Sequence, residues 1–154
     1  MVILVSLAAV AEEMELLSED SYHAFLNRQT GELYSGTTDQ LSKAEEYEDE
    51  ELLTWEVEVI QRLREILGSA DWLELPHRNS HSDYLLMERF CNERCEGQIQ
   101  EELLSAITGR GAFGRFKAVL HRHGVQEAWY GFRRELLTEE AKAWLQSQKI
   151  PFRH

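Results

Sequence analysis

From Ser82 to Pro151 apolar residues recur at three- and four-residue intervals and the breaks fall mostly at glycine, which commits this half of the chain to a series of helices. Ser82 reads as the cap of a helix carrying Tyr84, Met87, Phe90 and Cys91. A second runs from about Gly97 to Thr108 and ends at Gly109; a third covers Ala112 to His123 and is stopped by Gly124; a fourth covers Gln126 to Leu136. Thr138, followed by Glu139 and Glu140, opens a further segment, because a hydroxyl followed by acids suits the positive end of a helix dipole, and Pro151 follows its end.

The first half is mixed. Val2 to Val5 reads as a short strand or an extended entry, and Ser6 caps a helix with Leu7, Val10, Met14 and Leu17 on one face that stops near Ser18. Tyr22 to Leu26 and Glu32 to Ser35 then form two strand-like runs around Asn27-Arg28-Gln29-Thr30-Gly31, where Gly31 supplies positive φ: a β-hairpin. Between Asp39 and Glu51 seven acids face one lysine, and mutual repulsion makes residues 39–51 a solvated connector, for which a helix is an open form. Leu53 to Leu67 fits both alternation and a helical stripe, and its length, with Gly68 as a stop, favours helix. Asp71 to Leu75, ahead of Pro76, reads as a third strand. The expected architecture is α+β, a mostly helical single domain over residues 1–154 with a small antiparallel sheet including an N-terminal β-hairpin. A chain of 154 residues suffices for one core.

Charge narrows the partners. The net charge of −12 disfavours nucleic acid and anionic membrane as general partners. The Met1 to Ala11 run lacks a basic n-region and is too short to span a bilayer, and two cysteines four residues apart give no disulfide framework, so the expected location is cytoplasmic. The charge is also segregated: residues 1–107 carry −17, residues 108–134 carry +5, and the last twenty balance. Either the basic segment is neutralised by acids of the front, or it forms a local anion site.

Gly109-Arg110-Gly111-Ala112-Phe113-Gly114 matches the spacing of a dinucleotide fingerprint, but a helix precedes it where a strand is required. What remains is a tight turn between two helices, with free N–H groups at the second helix's start and Arg110, Arg115 and Lys117 close by. The alternative is a glycine corner with Ala112, Phe113 and Phe116 in the core. His77, His81, Cys91 and Cys95 have a spacing that permits zinc, yet Met87, Cys91 and Cys95 continue a core stripe, so no metal and no cofactor is expected. His121 and His123 diverge on a helix. No nucleophile with a base can be placed, so no catalytic residue is assigned.

The run Ile107 to Lys117, then His121-Arg122-His123-Gly124, Trp129-Tyr130-Gly131-Phe132-Arg133 and Ala143-Trp144-Leu145 closely resembles the C-terminal signature of the bacterial uncharacterised protein family zero-one-five-eight. Thr30-Gly31-Glu32, Trp72 to Pro76 and Met87 with Phe90 are similar to its earlier blocks, whereas Gly114 stands where relatives carry a second Arg. The resemblance implies a helical Trp55 to Leu67 and a cytoplasmic protein; it brings no activity.

The leading expectation is a non-enzymatic binding or regulatory module. Its candidate ligand residues are Gly109, Arg110, Gly111, Arg115, Lys117, His121, Trp129, Tyr130 and Arg133. The ligand would be an acidic protein surface, then a phosphorylated metabolite, then single-stranded RNA. One rival is a small enzyme acting on a phosphorylated substrate with Lys117, His121 or Tyr130 moving protons. Another is an interaction protein that uses its acidic front. The oligomeric state is not legible.

Overall fold

The computed structural model describes residues 4–17, 22–77 and 80–154. The expected strand residues Val2 and Ile3, and the expected helix stop at Ser18, lie outside them. The first described strand, β1 (Val5–Ser6), pairs in parallel with β5 (Phe152–Arg153), a pairing between the two ends of the described chain that no local pattern announces. Ser6 then caps α1 (Leu7–Leu16): its hydroxyl accepts the Ala9 N–H at 3.2 Å, and Leu7, Val10 and Met14 turn inward as their spacing requires.

The strands β2 (Tyr22–Asn27) and β3 (Leu33–Thr37) pair antiparallel, and β4 (Trp72–Glu74) adds to the other edge of β2 in the order β3-β2-β4. Asn27 organises the loop of the first pair. Its side-chain oxygen accepts the Gln29 and Thr30 N–H groups at 2.8 and 3.1 Å, and Gly31 takes φ +78° as expected. Side chains alternate across this sheet. Ala24 and Leu26 join an apolar cluster with α1 and the final helix, while Phe25 joins a second cluster with the helices that follow β3. The sheet is thus a middle layer covered by helices on both faces.

The acidic stretch takes the helical form that the sequence left open for the connector, and most of its side chains are exposed. It folds as α2 (Thr38–Glu46) and a single 3-10 turn at Asp49–Glu51. Thr37 and Gln40 close a reciprocal cap at its start, Ala44 is buried, and α2 packs on α3 (Val57–Leu67). Repulsion is relieved on the inner side: Arg64 of α3 donates to the Ala44 carbonyl at 3.0 Å and also binds the Tyr47 carbonyl and the Asp49 carboxylate. Gly36 lets α3 approach the sheet, since a Cβ there would meet the Leu63 methyls at 3.1 and 3.2 Å.

Helices α4 (Ser80–Arg94), α5 (Gly97–Ala106), α6 (Ala112–His123) and α7 (Gln126–Ser147) complete the chain. The first of these begins before Ser82, so Ser82 lies inside it and does not cap it. The break expected ahead of Thr138 is absent. Thr138 donates its hydroxyl to the Arg134 carbonyl at 2.7 Å, one turn back, so it continues a helix of 22 residues instead of starting one. Buried Leu137 and Ala141 carry the apolar stripe through that point. Phe90, Phe116, Trp129 and Phe132 form an aromatic centre between α4, α6 and α7, with ring centroids 5.0–6.4 Å apart.

Candidate functional site

The corner between α5 and α6 is built by two left-handed glycines, Gly109 at φ +76° and Gly111 at φ +74°. Gly111 is doubly constrained, because a Cβ there would also meet Arg115 Nη1 at 3.2 Å. That contact exists because Arg115 folds back over the turn, donating to the Ala106 carbonyl at 3.1 Å and to the Thr108 and Arg110 carbonyls. The last carbonyl of α5 and two carbonyls of the turn are therefore satisfied by one guanidinium. At the start of α6 no side chain caps the free N–H groups.

The basic segment divides. Arg122 pairs with Glu102 at 3.2 Å, and Glu102 also binds His123, whose hydrogen bond, followed by that of Gln98 and then Arg122, holds the carboxyl below the ordinary carboxylate range. Arg133 donates to the Glu15 carbonyl of α1 at 3.1 Å, and Arg134 approaches the Glu15 carboxylate at 3.5 Å. The rear of the segment is thus tied to the acidic front, while Arg110 and Lys117 stand exposed with no carboxylate partner among the described residues. Lys117 sits 4.7 Å above the Phe113 ring.

Phe113 departs from the expectation of a core residue, being 41% exposed while Phe116 is fully buried. Angle does not explain this, since Phe113 precedes buried Leu120 by seven residues and so lies on nearly the same side of the helix. Axial position does: Phe113 is in the first turn after the glycine corner, and Lys117 covers its ring. Trp129 is 2% exposed, edge-on to Phe90 and Phe116, so its faces are closed to a ligand. Tyr130 and His121 are exposed on α7 and α6, and no hydrogen bond among the described residues joins either of them to Lys117.

Beside the corner an open groove of about 510 Å³ runs between α5 and α6, with Glu101 and Glu102 on one wall and Arg115 and Arg122 on the other. Its charges are mixed and partly paired across it. Among the described residues no group of three or more His, Cys, Asp or Glu side chains is placed to hold a metal ion. Cys91 is buried in the aromatic cluster with Cys95 packed against it, and burial pushes the Cys91 thiol up to about 12. No described helix is long and apolar enough to cross a membrane.

Sequence reasoning missed one cluster elsewhere. The His23 ring lies 2.9 Å from Glu74 through Nδ1 and 3.1 Å from the Thr38 hydroxyl through Nε2, tying β2, β4 and α2 together. The three residues are far apart in the chain, so no motif could have signalled them.

The model of the Uncharacterised protein family (UPF0158) matches residues 18–154, and the chain belongs to this family. No curated protein and no solved structure matches the chain.

Proposed function

From that membership, which brings a family but no activity, we propose that the chain is a binding module that offers the first turns of α6 to an acidic surface on another protein. The observation that carries this reading is the exposure of Arg110 and Lys117 without a carboxylate partner among the described residues, on a helix start that no side chain caps. Two cations, free N–H groups and the positive end of the α6 dipole then act on one patch. Half-exposed Phe113 supplies an apolar contact beneath Lys117. The −12 net charge repels acidic partners everywhere else, which would confine them to this corner. An enzyme is the less supported reading, because Lys117, His121 and Tyr130 are not joined by hydrogen bonds and the neighbouring groove is open and not enclosed.

The test is a titration of the full chain with a glutamate-rich peptide at low and moderate salt. Binding is expected at low salt and should weaken steeply as salt rises. Lys117→Glu should raise Kd at least ten-fold and leave the melting temperature unchanged. Equal binding by the variant, or a marked loss of its stability, would show that Lys117 is scaffold and overturn the reading.

A further inference from the structure

The most exposed of the large apolar side chains among the described residues lies within the acidic stretch of residues 45–58. Trp55 keeps 74% of its surface in solvent and its neighbour Leu53 keeps 55%. The loop that carries them is firmly held. Glu56, 3% exposed, accepts the Leu53 N–H at 2.8 Å with one oxygen and the Lys43 ammonium at 3.0 Å with the other. The Leu53 carbonyl accepts the Glu56 N–H at 2.9 Å, so the turn is closed in both directions. Upstream, Arg64 ties down the Tyr47 carbonyl and Asp49, Gln61 adds a bond to Asp49 at 3.3 Å, and Leu52 is buried. The backbone is thus fixed on either side of two apolar side chains that point to water. Such preorganisation lowers the ordering cost of binding, and tryptophan is among the residue types enriched as interface anchors.

Charge selects the occupant. Residues 45–58 hold eight carboxylates and no basic side chain. Asp49 and Glu56 are paired, with Arg64 and Lys43, while Glu45, Glu46, Glu50 and Glu51 are exposed. An acidic partner would be repelled, and an uncharged apolar one would leave this field unused. We propose that the Leu53–Trp55 knob is a docking surface for a basic segment of another protein, one that seats an apolar side chain against the Trp55 indole and sets lysines or arginines among the surrounding glutamates. Long-range attraction steers the encounter, and the apolar contact supplies the residence time. This surface rests on residues other than those of the α6 corner, so each reading stands or falls separately.

The experiment uses the full chain and two synthetic peptides of equal length and charge, one alternating lysine with leucine and one alternating lysine with serine, titrated by calorimetry at moderate salt. The lysine-leucine peptide is expected to bind at least ten-fold tighter. Trp55→Ala should abolish that preference, with the urea midpoint and the lysine-serine affinity unchanged, and Glu50→Gln with Glu51→Gln should weaken both peptides. Equal affinity of the two peptides, or a preference that survives Trp55→Ala, would overturn the proposal. So would self-association in sedimentation that Trp55→Ala removes, because the occupant would then be a second copy of the chain.

Discussion

Phe113 and Phe116 lie three residues apart on α6, one half-exposed and one without accessible surface, and replacing each by alanine separates a surface ring from a core ring on the same helix. At Phe116 the loss includes transfer of a whole ring, the edge-on contacts with Phe90 and Trp129, and the cavity left between α4, α6 and α7. Together these amount to about 3–5 kcal/mol. At Phe113 roughly half the transfer term applies, no enclosed cavity forms, and the exposed contact with Lys117 adds about 0.5 kcal/mol. Alanine's better helix propensity returns about as much, leaving a net cost below about 1 kcal/mol. With a urea slope of about 2 kcal/mol per molar, Phe116→Ala should lower the unfolding midpoint by about 2 M and Phe113→Ala by less than about 0.5 M. Circular dichroism in urea reads both. Should Phe116→Ala not fold, Phe116→Leu, at about 1–1.5 kcal/mol, keeps the comparison. Equal shifts, or a larger shift at Phe113, would refute the placement of the two rings.

Stability should fall as pH is lowered from 5 to 3. Glu56, held down by the Leu53 N–H and by Lys43, Glu102, held down by His123, and Asp49, held down by Arg64, all have folded-state values below the ordinary 4.5 or 3.8. Their contribution is therefore complete above those values and is lost as pH drops through the folded ones; a melting temperature constant over that interval would contradict it. Gly36→Ala should destabilise by about 1–3 kcal/mol by pressing on Leu63, measured by urea unfolding, and an unchanged midpoint would mean that Leu63 yields freely. Iodoacetamide at pH 8 should label Cys95 before Cys91, because burial raises Cys91 to about 12 and encloses its sulfur; equal labelling of the native protein, read by mass spectrometry, would show that the aromatic cluster does not shield it.

Elements bounded by chemistry of their own were legible. The limits of α6 follow from Gly111 and Gly124, both left-handed, and the loop after β2 follows from Asn27 and Gly31. Two expected helix starts misled, Ser82, which lies inside α4, and Thr138. Thr138 resembles a helix start, but its hydroxyl is equally able to bond one turn back once packing holds Leu137 and Ala141 inside. The acids at 39–51 signalled an exposed connector, but not the anchoring of its inner side by Arg64, which serves three of that segment's groups from a helix further along the chain. At the site, residue types identified a cationic corner but could not assign each cation its destination. Arg115 turns back on its own loop, and Arg133 reaches a carbonyl 118 residues earlier in the chain. Lys117 and Arg110 remain exposed because neither geometry reaches them.

The uninterrupted α7 makes two of the apolar clusters mechanically one. Trp129 and Phe132 belong to the aromatic cluster, Ala141 and Leu145 to the cluster beneath α1 and the sheet, and roughly 20 Å of rigid rod joins their midpoints. A helix frays from its ends, and to part it in the middle requires two new termini. Opening either cluster alone would therefore require parting α7 between Phe132 and Ala141, so the two should unfold as a single cooperative unit, and amide exchange along residues 134–140 should report the global opening free energy and not a local one.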